Sequence, residues 1–177
     1  IKQQLKEPKY KTAFDRNFWI WEEYCPDATY LLSADVARGD GKDYSTFHII
    51  KIETLELVGE YKGKITPDIF ANLINNAGRE YGNCMAVVEN NSVGYAVLDK
   101  LKEHEYPNIS TKTRPLVVAK MEEFVRNKFM TIYSKRLYNE METFVWQNSK
   151  PQSMKGYNDD LIMACAIGCW IKDTVYT

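Results

Sequence analysis

From Ala28 onward the apolar positions fall first into strand-like runs and then into alternating strand and helix blocks. Residues 30–36, 45–53 and 56–61 are enriched in Thr, Ile, Val and Phe and read as strands, the first of them buried. The link Arg38-Gly39-Asp40-Gly41-Lys42-Asp43 is turn chemistry. Thr66-Pro67-Asp68 opens a helix with a cap residue and proline at the first position. Phe70, Leu73 and Ile74 carry it to about Tyr81, where Gly82-Asn83 stops it. Residues 85–89 form a short run apolar on both faces, the pattern of a central parallel strand. Helices follow at 93–105, from Thr113-Arg114-Pro115 through Arg126, and near 135–144, with a short strand near 129–133. A last helix begins near Asn158, and from Leu161 to Ile171 it is apolar all round, as a buried helix is.

Three consecutive strands followed by helix–strand–helix units predict an α/β fold. The sheet is mixed, antiparallel over its first three strands and parallel afterwards, with helices on both faces. That order is the ribonuclease-H-like arrangement, whose site forms where the first strand and the next parallel strand lie side by side. Residues 1–27 look different. A charged, weakly periodic linker leads into Phe14, Phe18, Trp19, Trp21 and Tyr24, which are expected to pack on the domain or on a neighbour. The main domain is then 28–177, and a chain opening on isoleucine reads as part of something longer.

Composition narrows the field without choosing a function. With 177 residues, 45% hydrophobic and 27% charged, this is one domain with a substantial core. A net charge of -1 argues against binding nucleic acid by bulk charge alone, yet allows a local basic groove. No apolar run reaches the ~20 residues of a bilayer span, so no membrane role is expected. Cys25, Cys84, Cys165 and Cys169 lack a CxxC spacing and read as reduced thiols, which suits a cytosolic compartment.

The candidate chemistry is acidic. Asp35 ends the first strand, Glu89 ends the parallel strand, and Asp159 and Asp160 open the last helix. Each has an ordinary alternative. Asp35 can begin the turn and pair with Arg38 or Lys42; Glu89 can be a surface residue at a strand exit. Acids in a helix's first turn complement its macrodipole without any further role. Asp40 and Asp43 read as turn residues, although Asp43 can face the site from the second strand. Asn90 and Asn91 can orient Glu89 or cap the next helix, and Gly94 permits close backbone approach. Together, carboxylates at two adjacent strand tips and one helix start suit divalent metals held against a phosphate, the two-metal arrangement of phosphodiester hydrolysis. Asp160 is favoured over Asp159 as ligand, because its helical stripe continues through Ala164 and Gly168, small enough for close approach to the sheet. His48 and His104 are not expected to be catalytic.

Ala34-Asp35-Val36-Ala37-Arg38-Gly39 with Asp43-Tyr44-Ser45, then Val87-Val88-Glu89-Asn90-Asn91, then Tyr157-Asn158-Asp159-Asp160-Leu161, resembles the nuclease domain of the large terminase subunit of tailed, myovirus-type bacteriophages. Ser110 to Pro115 is also similar to that family, and the resemblance runs from about Phe14 to Trp170. It implies an endonuclease dependent on Mg²⁺ or Mn²⁺ that cuts double-stranded, concatemeric viral DNA during genome packaging. Asp35, Glu89 and one of Asp159 or Asp160 match its metal ligands. Its partners would be DNA, the packaging ATPase domain of the same full-length chain, the portal and the small terminase subunit. Its place would be the host cytoplasm, at the procapsid portal. Two features depart from the pattern: Asn158 stands where many relatives have histidine, and the 105–111 connection is short. No GxxxxGK[ST] occurs, so no ATP site is expected here. Among Lys112, Arg114, Lys120, Arg126, Lys128, Lys135, Arg136, Lys150 and Lys155, the favoured DNA contacts are Lys112, Arg114 and Lys155, in loops beside the site; most of the others serve solubility. The remaining alternatives are a resolvase- or transposase-type nuclease of the same fold and a non-catalytic scaffold.

Overall fold

The computed structural model describes residues 2–37, 41–89, 94–111, 114–147, 150–153 and 158–175. The aromatic N-terminal segment supplies two short strands, β1 (Tyr10–Thr12) and β2 (Phe18–Ile20). The three expected strands follow as β3 (Tyr30–Asp35), β4 (Ser45–Lys51) and β5 (Glu56–Gly63). Then come α1 (Pro67–Glu80), β6 (Met85–Glu89), α2 (Gly94–Glu103), β7 (Asn108–Thr111), α3 (Arg114–Arg126) and α4 (Lys135–Glu142). A hairpin of β8 (Phe144–Gln147) and β9 (Lys150–Ser153) precedes the final helix, α5 (Asp160–Val175).

Seven strands form one sheet in the order β1-β2-β5-β4-β3-β6-β7. The β3–β4 and β4–β5 pairs are antiparallel, and β6 and β7 join in parallel, as the block pattern predicts. Two of the seven strands come from before residue 28: β2 pairs with β5 and extends the sheet beyond the segment expected to form it. Both are only three residues long, too short to show a period of two. The 105–111 connection likewise contains a strand, β7. The strand expected at 129–133 is absent as such; Thr131 makes a single parallel bridge to Glu56. Its alternating apolar residues Met130 and Ile132 are buried, which produces the strand-like pattern without a ladder.

Helix α1 begins at Pro67 and ends where Gly82 adopts φ +77°, as its sequence indicates. Thr66 precedes it, but its hydroxyl bonds the Asp68 carboxylate at 2.5 Å and caps no backbone N–H. The sheet is buried on both faces. One core joins Leu32, Ala34, Phe47, Ile49 and Val88 to Phe70 and Ile74 of α1 and Val97 and Leu101 of α2. The other joins Leu31, Ile50 and Val87 to Val117 and Met121 of α3 and the apolar face of α5.

Candidate active site

The parallel β3–β6 register pairs Ser33 with Val87 and Ala34 with Val88. Asp35 and Glu89 are the next residue on each strand, so the two carboxylates leave the sheet together at its carboxyl end. Side chains alternate between faces along a strand, which puts both on the face that Ser33 and Val87 share with α5. The Asp35 carboxyl lies within hydrogen-bonding reach of the Glu89 side chain.

Helix α5 is seated against that point by alternate residues of one strand. The Tyr44 N–H, just ahead of β4, donates to the Asp160 carboxylate at 3.0 Å. The Thr46 hydroxyl donates to the Asp160 carbonyl at 2.7 Å, and His48 Nε2 donates to the Leu161 carbonyl at 2.9 Å. Thr46 and His48 share one face of β4, so the period of two places two side-chain bonds under the helix's first turn. Thr46 is also the cross-strand partner of Asp35, as His48 is of Ser33. Further along, a Cβ on Gly168 would lie 2.3 Å from Ile50 Cδ1 and 2.8 Å from Ser33 Oγ, so the helix packs closer than any side chain allows. The stripe of small residues after Asp160 therefore faces the sheet, as its sequence predicts.

From α4, Glu140 closes the other side. Its Oε1 accepts from the Leu161 and Ile162 N–H groups at 2.9 and 3.2 Å, and its Oε2 takes a 2.8 Å ion pair from Lys62 of β5. Sequence reasoning missed this role: Glu140 sits in a polar helical stretch, and its partners lie 21 and 78 residues away.

The electrostatics are those of crowded acids. Asp35 and Asp160 retain only 8% and 6% of their exposure. Burial is the largest influence holding the Asp35 carboxyl well above the usual range, and Glu89, Asp160 and Asp159 all add to it. Burial likewise pushes Asp160 up to about 7, with Glu140, Asp43 and Asp159 adding and the Tyr44 N–H opposing. Asp43, exposed in its turn, is thus close enough to be felt at the site, while Asp40 lies outside the described residues. His48 is buried and held in its neutral form by desolvation, with its ring engaged to α5. His104 is at the end of α2, bonded to Asn72 at 3.1 Å.

All four acids offer hard oxygen ligands. Among the described residues no three His, Cys, Asp or Glu side chains form a ready-made metal cage. Carboxylate oxygens are hard donors of the kind that divalent cations such as Mg²⁺ and Ca²⁺ take. The donor chemistry and the mutual repulsion of the acids fit such an ion.

Of the basic candidates, Lys112 and Lys155 lie outside the described residues, and Arg114 opens α3. Lys120 pairs with Glu123 and Asp173 at 2.7 and 3.2 Å, and Arg126 with Glu122 at 3.1 Å. Arg136 pairs with Glu60 at 2.8 Å and lies 3.5 Å over the Trp19 ring. These three are engaged within the protein.

No family model matches the chain. Among solved structures, the large terminase nuclease of thermophilic phage G20c with bound magnesium superposes with a TM-score of 0.81, covering 95% of this chain and 93% of that one at 17% identity. The Thermus phage P74-26 large terminase nuclease domain gives 0.77, covering 93% and 90% at 16% identity. This chain has the large terminase nuclease fold. A longer large terminase, from another thermophilic bacteriophage, matches with a TM-score of 0.66 at 13% identity, over 86% of this chain and 41% of that one.

Proposed function

We propose that this chain is a metal-dependent endonuclease of the large terminase type, cutting double-stranded, concatemeric viral DNA during genome packaging. The observation that carries the reading is the meeting of Asp35 and Glu89, at the ends of adjacent parallel strands, with the buried start of α5. Asp35, Glu89, Asp160 and Asp159 are assigned to hold Mg²⁺ or Mn²⁺ as a two-ion site, with Asp160 favoured over Asp159 as ligand. A bound divalent ion supplies charge neutralisation at the scissile phosphate and acidifies the attacking water. The chain's own contribution is positional. Strand ends fix Asp35 and Glu89, while Thr46, His48 and the Tyr44 N–H fix Asp160.

The fold likeness to terminase nucleases and the motif resemblance support this reading from independent directions. Its partners are duplex DNA and, by the same resemblance, a packaging ATPase domain of a longer chain, the portal and the small terminase subunit. Its setting is the host cytoplasm at the procapsid portal. Lys112, Arg114 and Lys155 are assigned to phosphate contacts. Plasmid nicking with Mg²⁺ or Mn²⁺, abolished by chelator, tests the activity. A matched assay on four-way junctions separates packaging nuclease from resolvase; preference for junctions over duplex would overturn the assignment, and no cleavage under any metal would leave a scaffold.

A further inference from the structure

Two buried acids with different partners meet at the first turn of α5. Asp160 faces the strand tips, whereas Glu140 approaches from α4 and bonds the backbone N–H groups of Leu161 and Ile162 and the Lys62 ammonium. Glu140 is 5% exposed, and the Lys62 side chain keeps 16% of its exposure. A buried carboxylate is costly unless fully bonded, and here both oxygens are occupied. The N-terminal N–H groups of a helix have no partner within it and need an outside acceptor. For α5 that acceptor comes from another helix, 21 residues earlier.

The consequence is mechanical. Leu161 and Ile162 directly follow Asp160, so the oxygen that holds their N–H groups also sets how far the helix start projects toward Asp35 and Glu89. Lys62 ties Glu140 to β5 and lies 4.7 Å from the centre of the Tyr44 ring. The backbone N–H of the same Tyr44 bonds the Asp160 carboxylate. The contacts form a closed loop: β5 to Lys62, Lys62 to Glu140, Glu140 to the α5 backbone, and Asp160 through Tyr44 back to Lys62.

We propose that Glu140 is a positioning residue for the metal-binding carboxylates, clamping the start of α5 so that Asp159 and Asp160 are presented to an ion shared with Asp35. The proposal rests on the nuclease reading above. Partners that orient metal ligands from behind cost about 10- to 100-fold in metal affinity or activity when removed.

The test compares wild type with Glu140→Ala, Glu140→Gln, Lys62→Met and Asp35→Asn. Mn²⁺ affinity is measured by calorimetry, nicking is followed as a function of Mg²⁺, and amide exchange is followed at Leu161 and Ile162. Glu140→Ala is expected to weaken Mn²⁺ binding and raise the Mg²⁺ midpoint by about 10- to 100-fold, with faster exchange at both amides. Glu140→Gln keeps an acceptor oxygen and should restore most of the affinity. Lys62→Met should fall between them. A Glu140→Ala protein, or a Lys62→Met protein where the alanine variant fails to fold, that melts earlier yet keeps the wild-type metal midpoint overturns the proposal, since a merely structural cap would behave that way. Wild type and Asp35→Asn binding Mn²⁺ equally weakly would instead overturn the metal site itself, and this proposal with it.

Discussion

The Thr46 hydroxyl donates a 2.7 Å hydrogen bond to the main-chain carbonyl of Asp160, a residue 114 positions later. Thr46 is also the cross-strand partner of Asp35. One threonine therefore ties the strand carrying one candidate ligand to the helix carrying another. Thr46→Val should cost about 1 kcal/mol of stability, the net worth of one buried hydrogen bond, read from the urea midpoint. It should also reduce nicking at fixed Mg²⁺. Undiminished nicking would show that the bond stabilises the fold without aligning the site.

Asp35→Asn and Glu89→Gln should abolish metal-dependent nicking while leaving the circular dichroism unchanged. Each removes an ionisable acid from a crowded cluster, so thermal stability without metal should rise. Wild-type cleavage by either variant would sink the assignment. Asp160→Asn should cost more than Asp159→Asn, because Asp160 is the more buried and is held by Tyr44 and Thr46; the reverse order would make Asp159 the main ligand.

With metal removed, stability should fall as pH rises. The Asp160 carboxyl loses its proton near pH 4 in an unfolded chain, but near 7 when folded. Between those values the folded chain holds a proton that the unfolded chain has lost. The contribution is complete below about pH 4 and disappears as pH passes through 7, amounting to about 4 kcal/mol at most. Asp35 acts in the same direction. Urea midpoints at pH 5 and pH 8 in chelator should show the decline, Asp160→Asn should flatten it, and added Mn²⁺ should reverse it at pH 8. A wild-type profile that rises from pH 5 to 8 would contradict the raised carboxyls.

Gly168→Val should push α5 off the sheet, since even a Cβ would lie 2.3 Å from Ile50 and 2.8 Å from Ser33. Overpacking of this kind costs about 1–3 kcal/mol. Because the same helix carries Asp160, metal affinity should fall along with stability. Loss of stability alone would mean that the helix start is held independently of its middle.

DNA binding should be weak, tolerant of sequence and sensitive to salt. Net charge is -1, and contacts to phosphates position a protein on the duplex without reading sequence. A plot of log affinity against log salt should have a steep negative slope. Tight binding to one sequence, indifferent to salt, would exclude this mode.

Local pattern did not specify β7 or the β8–β9 hairpin, but it was enough for β3 to β6, the main helices and the ends at which Asp35, Glu89 and Asp160 stand. Each follows from a short-range signal: apolar runs, a proline at a helix start, a glycine beyond its end. The face of α5 that meets the sheet was legible too, because Ala164 and Gly168 mark it at helical spacing. Pattern misled at 129–133, where Met130 and Ile132 are buried in alternation yet pair with no ladder. The three-residue strands β1 and β2 were too short to announce themselves. What holds α5 emerges only when the chain is folded. Tyr44, Thr46 and His48 reach it across more than 110 residues, and Glu140 and Lys62 arrive from two further elements. A threonine hydroxyl or a glutamate carboxylate is the same local signal whether it meets water or a helix terminus. Its role depends on the partner folding brings to it, and no spacing along the chain encodes that.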